Sequence, residues 1–439
     1  MLRFISAFMA AALLPCLALA EDAPVPTLNS GDTAWMLTSS LLVLMMSLPG
    51  LALFYGGLVR KDNILATLMQ TFAVACVVSV VWPLLGYSLA FTEGNEWLGG
   101  FSRVLLVGLK PDSLTGTIPE SVFIMFQMTF AVITCALLMG AVADRIKFSA
   151  IILLSVLWVV LVYSPIAHWV WGPGGMIGGV GLQNYAGLFG FGTALDFAGG
   201  TVVHISSGIA GLVAALVLGK RLETPSTSNN VILSMMGACF LWVGWFGFNA
   251  GSAVAANGSA GMAMLVTNSA AAMASIAWII AEWMHSGKPS VVGAISGAVA
   301  GLVAITPAAG FVTFASSLMI GLAGGLCCFL MVTFLKEKLG FDDSLDVFGI
   351  HGVGGIVGAI LTGVYASSSV STAKGALEGN VDQLIAQIIA VGVVIVFTAI
   401  ATYLILQLVN LLVGLRVDEQ AERGGLDMAL HGQRVTVYN

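Results

Sequence analysis

Two histidines begin the same eight-residue pattern at distant points of the chain. His204 begins the string HISSGIAG and His351 begins HGVGGIVG, so both follow H-x-x-x-G-I-x-G. Both strings lie in apolar segments, where a neutral imidazole can donate one hydrogen bond and accept another. The pair indicates hydrogen bonding or proton transfer along an apolar path. The alternative is that each ring is an ordinary hydrogen-bonded core residue.

A membrane metalloenzyme is a second chemistry that paired histidines suggest. Catalytic zinc requires three protein ligands on one ion. Asp196 precedes His204 by eight residues, which places it about 12 Å away along a helix. The sequence also has no H-E-x-x-H motif. We therefore expect no metal, no cofactor and no enzyme activity.

The composition places these histidines in a membrane protein. Of the 439 residues, 58% are hydrophobic and only 9% are charged, against about 25% charged in an ordinary soluble domain. Lipid cannot satisfy backbone polar groups, so spanning segments must be helices or a closed barrel, and the long uncharged runs favour helices. The net charge of -6 is spread over loops and tail, which argues against a nucleic-acid partner. We predict an all-α polytopic protein surrounded by membrane lipid.

The uncharged segments also predict the number and arrangement of the helices. Each crossing needs about 20 residues, and dividing 224–281 near Asn257 and 289–335 near Thr306 gives eleven transmembrane helices. The two histidine strings fall in the fifth and tenth of these. An offset of five spans makes the copies run in opposite directions, which predicts a five-plus-five inverted repeat with an extra helix 11. Many transporters are built from inverted repeats, and in them the substrate path lies at the repeat interface near the midplane of the membrane.

The N-terminal segment predicts export, and the basic residues of the loops and tail predict the orientation in the membrane. Residues 1–20 combine a basic Arg3, an apolar run and a small-x-small site before Glu21, which predicts a cleaved signal peptide; an uncleaved first span is the alternative. The membrane domain is then 21–415 and the cytoplasmic tail 416–439. With the mature N-terminus outside, twelve basic residues lie inside and three outside, as the positive-inside rule requires.

Residues of several predicted helices lie one below another along a single line through the membrane, which we call the column. Counting the helix rise from the segment ends gives this order from the outer face: Ser252 and Trp171, then Phe130 and Phe248, then the two histidines. The histidine rings meet only if Asp196 and Asp346 are sunk below the headgroups, and we expect that they are.

This column suits a small amine that crosses the membrane without its charge. A hydroxyl and tryptophan faces can hold an ammonium-like ion, with cation–π attraction of about 0.5–2 kcal/mol. A bare cation in apolar surroundings is far more costly, whereas shedding a proton costs about 3 kcal/mol if the pKa lies roughly two units above neutral. The neutral amine then passes two phenylalanine rings and uses the imidazoles as hydrogen-bond partners.

Five strings carry a resemblance to a known family. The sequence resembles the ammonium transporter family, which includes the methylammonium permeases and Rhesus proteins, over nearly all of the chain after residue 20. The strings are DFAGGTVVH at 196–204, GLALFYGGLVR at 50–60, WFGFNAGS at 245–252, DVFGIHG at 346–352 and GLDMALHG at 425–432.

The resemblance implies a homotrimer in the bacterial inner membrane, with a pore for ammonium, ammonia and methylammonium through each subunit. It also implies a PII-type signalling protein that meets the cytoplasmic face. The implied site residues are Phe130, Trp171 and Ser252 in an outer ammonium site, Asp196 shaping that site, Phe130 and Phe248 as a gate, and His204 and His351 in the pore.

Each of these roles has a simpler alternative. Asp196 stands where a helix N-cap belongs. Ser252 is suited to helix packing, and the phenylalanines to the apolar core. An ammonium sensor on the same scaffold is the alternative function; such a sensor would typically append a signalling domain, and only about 24 residues follow Leu415.

Overall fold

The computed structural model describes residues 27–178, 187–223 and 230–435. The predicted signal peptide lies outside these residues. Helices account for most of the described chain. Two short antiparallel strands, β1 (Leu114–Thr115) and β2 (Ile118–Pro119), form a hairpin just before the third long helix.

Ten helices of the described residues are long and apolar enough to cross a membrane, which confirms the predicted all-α polytopic fold. They are α1 (Ser30–Leu58), α2 (Lys61–Phe91), α3 (Glu120–Val142), α4 (Phe148–Trp171), α5 (Gly200–Leu218), α6 (Val231–Gly251), α7 (Gly258–Ser286), α9 (Phe314–Leu339), α10 (Phe348–Tyr365) and α11 (Val381–Val413). The intervening helix α8 (Val291–Ile305) has only 15 residues, fewer than the roughly 20 of a full crossing. The count of eleven crossings therefore stays a prediction.

Both long uncharged segments divide close to the predicted positions. Between α6 and α7, the side chain of Asn257 accepts a hydrogen bond from the backbone of Ala260 and caps α7. Helix α8 ends just before Thr306 and Pro307, because proline has no N–H to continue the helical ladder. Local turn chemistry is therefore sufficient to locate both breaks.

The two histidine strings pack against each other in a reciprocal way. His204 and His351 each lie in a π-helical turn at the start of their helix. A Cβ atom on Gly208 of α5 would overlap the backbone of Gly352, and one on Gly355 of α10 would press on the Cβ of His204. Glycine at matching positions of the two copies thus lets the backbones of α5 and α10 come together.

The tail folds back onto one end of the helix bundle, here called the tail face. Its two short helices are α12 (Glu419–Gly424) and α13 (Leu426–His431). The backbone N–H of Leu426 donates to Asn63 Oδ1 at 2.7 Å, and Asp427 Oδ1 accepts from the backbone N–H of Ala66 at 2.8 Å. These bonds fix the tail on the start of α2.

A buried ion cluster joins three loops of the tail face. Arg221 is paired with Asp342 at 2.7 Å and with Asp144 at 3.1 Å. Burial alone would raise the pKa of Asp342, but hydrogen bonds from the side chain and backbone of Arg221 outweigh it and lower the pKa to about 2. The folded state therefore holds the charged form of this carboxyl to lower pH than an unfolded chain does.

The cluster predicts a specific loss of stability in acid. The stability that Asp342 contributes is complete above its ordinary pKa of 3.8 and is lost as the pH falls toward 2. Asp342→Asn should lower the free energy of unfolding at pH 7 by about 2 kcal/mol and flatten its decline below pH 4. Unfolding of the detergent-solubilised protein, followed by tryptophan fluorescence across this pH range, measures both effects.

Asp382→Asn provides a matched control, because Asp382 is exposed in the first turn of α11. This variant should keep the stability and pH profile of the parent protein. Parallel profiles for Asp342→Asn and the parent protein would contradict the assigned contribution of Asp342.

Candidate functional site

Two phenylalanine rings stack at the centre of the predicted column. Phe130 of α3 and Phe248 of α6 have ring centroids 4.1 Å apart and planes 18° apart, and both side chains are buried. The indole of Trp171 meets Phe130 edge-on at 5.9 Å. Residues from three helices therefore converge, and the stacked pair contacts Trp171 through Phe130 and His204 through Phe248.

A cavity of about 190 Å³ lies on the Trp171 side of the stacked rings, and we call it the vestibule. It lies at the end of α6 away from the tail face. Its lining is aromatic and polar but carries no charged side chain: Phe91, Phe123, Gln127, Phe130, Trp171, Phe197, Ser252 and Val254. The Ser252 hydroxyl donates to the Phe248 carbonyl at 2.8 Å, which leaves its oxygen lone pairs available to a donor in the vestibule.

Asp196 builds the vestibule wall but is not among its lining residues. Its carboxylate accepts backbone N–H bonds of 2.7–3.1 Å from four residues that begin α5: Gly199, Gly200, Thr201 and Val202. Its backbone carbonyl accepts the indole N–H of Trp171 at 2.8 Å. The carboxylate is buried in the protein, and its contacts are those of a helix cap that also orients Trp171.

The two histidines expected in the pore lie next to the stacked rings, on the Phe248 side. His204 is 6.0 Å from Phe248 between ring centroids. Its Nδ1 is 3.2 Å from Nδ1 of His351, and the two imidazoles lie nearly parallel. Two neutral rings make this contact when one Nδ1 carries the proton and the other accepts it, so they must be in opposite tautomers. Both rings are buried, and His204 Nε2 has no partner among the described residues.

Trp245 holds His204 from the side. Its indole stacks on the imidazole with centroids 5.3 Å apart and planes 20° apart. The indole N–H donates to the Thr306 hydroxyl at 2.9 Å, at the break that follows α8. Nothing in the spacing of Trp245 in the sequence identifies this partner, which is 61 residues away.

The space beside the histidines is small and apolar. A cavity of about 10 Å³ touches His204, His351 and Trp245, which is close to the minimum volume that holds one water molecule. The rest of its lining is aliphatic or phenylalanine: Met46, Leu51, Phe54, Ile133, Leu137, Leu241 and Val299. This space suits a small neutral solute and opposes a hydrated ion.

Metal chemistry finds no support in the described part of the chain. No group of three or more His, Cys, Asp or Glu side chains there is arranged to hold a metal ion. Asp196 is engaged by backbone N–H groups and does not reach the histidine pair. What the arrangement can do is hold a small cation at the vestibule and offer imidazole nitrogens deeper in the protein.

Comparison with known sequences gives matches along nearly the full length. The model of the Ammonium Transporter Family matches residues 34–436. An ammonium transporter of Bacillus subtilis is 50% identical over 412 residues, which cover 93% of this chain and 98% of the relative. An ammonium transporter of Aquifex aeolicus is 50% identical over 416 residues, covering 94% of each chain.

Solved structures share the fold over the same length. The crystal structure of Candida albicans Mep2 matches with a TM-score of 0.81 at 33% identity, covering 90% of this chain and 88% of that chain. A structure described as a sensor Amt protein matches with a TM-score of 0.82 at 27% identity, covering 91% of this chain and 98% of that one.

The bonds of Asp196 predict that its replacement damages folding before it alters binding. Asp196→Ala would leave four N–H groups at the start of α5 without their acceptor. At about 1–3 kcal/mol for each of these four buried groups left unpaired, the variant should lose at least about 4 kcal/mol of stability. Asp196→Asn, which keeps one oxygen, should lose less. Thermal unfolding in detergent measures the order of the three proteins.

The opposite outcome has a distinct meaning. If Asp196→Ala unfolds like the parent protein but binds ammonium more weakly, Asp196 acts on the ion itself and not as a cap.

Proposed function

Because the chain belongs to the ammonium transporter family, we propose that it carries ammonium, ammonia and methylammonium across the cytoplasmic membrane. The ion is recruited and deprotonated at the vestibule, and the neutral base passes a gate of Phe130 and Phe248 into a pore lined by His204 and His351. The observation that carries this proposal is the stacked ring pair, because Phe130 lines the uncharged vestibule and Phe248 lies beside His204 of the buried, mutually bonded imidazoles.

The vestibule recruits the cation through dipoles and ring faces. The Ser252 oxygen offers lone pairs to an N–H donor, and Trp171 and Phe130 offer π faces that attract a desolvated cation. None of the lining residues carries a charge, so the ion is held weakly enough to give up its proton and move on. Asp196 acts by holding Trp171 in place.

Deprotonation at the vestibule follows from the composition of the path beyond it. The cavity at the histidines has no charged lining residue and little more volume than one water molecule. Burying an unpaired ion there costs far more than releasing a proton, which is about 3 kcal/mol for a base two pKa units above neutral. The neutral base therefore has the lower barrier.

The histidines replace the hydrogen bonds that the base leaves behind in water. Their Nδ1 atoms are occupied with each other at 3.2 Å, which leaves the Nε2 positions for a passing solute. An apolar pore without these nitrogens would transfer the base with no hydrogen-bond partner, at a cost of a few kcal/mol. The same contact gives protons a path between the rings, separate from the base.

The arrangement of the protein in its membrane completes the proposal. The vestibule faces outside and the tail face lies in the cytoplasm, as the distribution of basic loop residues favours. The protein acts as a homotrimer with one pore in each subunit. The ordered tail and the loops that it contacts form the surface that a PII-type signalling protein meets.

An ammonium sensor on the same scaffold is the second candidate. Its support is the likeness to the solved structure described as a sensor Amt protein. A sensor binds ammonium at the vestibule without sustained flux, so the two functions differ in whether steady transport follows binding.

Currents from reconstituted protein test the transport function. Proteoliposomes on a charged support should give a current, or a change of internal pH, after an ammonium step, and should accumulate methylammonium. His351→Leu should lower this transport at least tenfold or change its ion selectivity, because it removes a hydrogen-bond partner worth at least about 1.4 kcal/mol in the barrier. Trimer assembly, checked by size-exclusion chromatography, should stay intact.

His285→Leu is the matched control, because this ring packs against Phe334 away from the column. It should transport like the parent protein. Unchanged current and methylammonium uptake in His351→Leu would remove the histidines from the mechanism. Binding without any flux in the parent protein would favour the sensor.

A further inference from the structure

We propose that Gln127 is a further binding residue of the vestibule and that its side-chain amide oxygen accepts a hydrogen bond from the ammonium ion. This inference rests on the proposed transport of ammonium and identifies a specificity residue for it. The expected ligand class is a small cation with several N–H donors, as opposed to an alkali metal ion.

The position of Gln127 on α3 places it at the bound ion. It lies three residues before Phe130 and four residues after Phe123. Residues with these spacings share one face of a helix, and all three line the vestibule. Gln127 is therefore one helical turn from the ring that closes the vestibule toward the histidines.

The side-chain amide oxygen of Gln127 makes no hydrogen bond within the described part of the protein. Its side chain is only 8% exposed, yet Oε1 has no hydrogen-bond partner among the described residues. Leaving a buried amide oxygen unpaired costs free energy, so such a group calls for a role. Since a half-turn about the last side-chain torsion exchanges the two ends of the amide, a cation in the vestibule selects the orientation that presents oxygen.

A structural glutamine in this protein looks different. Gln387 of α11 donates to the carbonyls of Leu195 and Ala359 and accepts from the Leu195 N–H. Both ends of that amide are satisfied by backbone. Gln127 also lines the vestibule, and its buried Oε1 has no such backbone partner. A half-turn of this amide brings the oxygen to the vestibule, which separates a binding group from a packing group.

The chemistry of the vestibule needs a second acceptor. An ammonium ion has four N–H donors, while the Ser252 oxygen can take one of them and the aromatic faces attract the charge without a lone pair. Gln127 is the other lining residue whose side chain carries an acceptor. Two oxygens and π faces suit an N–H cation, whereas an alkali ion prefers more oxygen ligands than this lining supplies.

Concentration dependence of the transport current tests this assignment. Gln127→Leu should raise the half-saturating ammonium concentration about fivefold to tenfold, which is the loss of one hydrogen bond to a charged group, and leave the maximal current within about twofold. Gln127→Glu should lower the half-saturating concentration, because it keeps an acceptor and adds a negative charge. A purely structural role would not reverse direction between these two variants.

Gln70→Leu is the matched control, since Gln70 is a buried glutamine of α2 that does not line the vestibule. It should keep the half-saturating concentration of the parent protein. Where Gln127→Leu does not fold, Gln127→Met provides the same loss of the amide in a flexible side chain.

The outcomes separate the two proposals. Parent-like half-saturation in Gln127→Leu or Gln127→Met, with normal current in the parent protein, would overturn the role of Gln127 alone. Absence of any ammonium-dependent flux in the parent protein would overturn the transport function. The binding role of Gln127 is then measured by ammonium titration of tryptophan fluorescence, where a parent-like midpoint in Gln127→Leu would overturn it too.

Discussion

The cost of placing a charge in an apolar interior governs this protein. That cost confines most of the acidic and basic side chains to loops and helix ends, and in the proposed function it opposes the passage of an unaccompanied ion between the vestibule and the tail face. The stacked rings of Phe130 and Phe248 and the uncharged lining of the histidine cavity both exploit it. In the proposed function, selectivity then requires no charged filter, because the interior rejects an ion that has not given up its proton.

Close helix packing is what makes so narrow a path possible. The chain contains 53 glycines, and Gly208 and Gly355, at matching positions of the two histidine strings, stand where a Cβ atom would press on the partner helix. Glycine weakens a helix in isolation, but between helices in a membrane it allows the backbones to approach. The histidine contact depends on this approach, since α5 and α10 each carry one of the two rings.

Much of the fold was predictable because its signals are local. Hydrophobic length located the spanning helices, and Asn257 and Pro307 located the breaks inside the long apolar segments, since a cap and a missing N–H act within a few residues. Helix α8 is the exception, because its 15 residues form a helix without reaching the length of a full crossing.

The site was predictable only in part. The matched strings indicated His204 and His351, and the helix rise indicated their order below the ring pair. The network around them depends on contacts that no spacing reveals. One example is the bond from Trp245 to Thr306, whose partners are 61 residues apart. At the tail face, the ion pair between Arg221 and Asp342 likewise joins residues 121 positions apart. Gln127 carried an available signal, its one-turn spacing from Phe130, but buried glutamines are common enough that spacing alone does not single one out.

The break after α8 supports both ends of the transport path. Thr306 receives the indole N–H of Trp245, which stacks on His204, and the carbonyl of the next residue, Pro307, receives the backbone N–H of Phe197 in the vestibule wall. Two adjacent residues therefore anchor both the vestibule wall and the indole that stacks on His204. A displacement of this turn would shift both regions together, so in the proposed function the geometry of ion capture would be coupled to the geometry of passage.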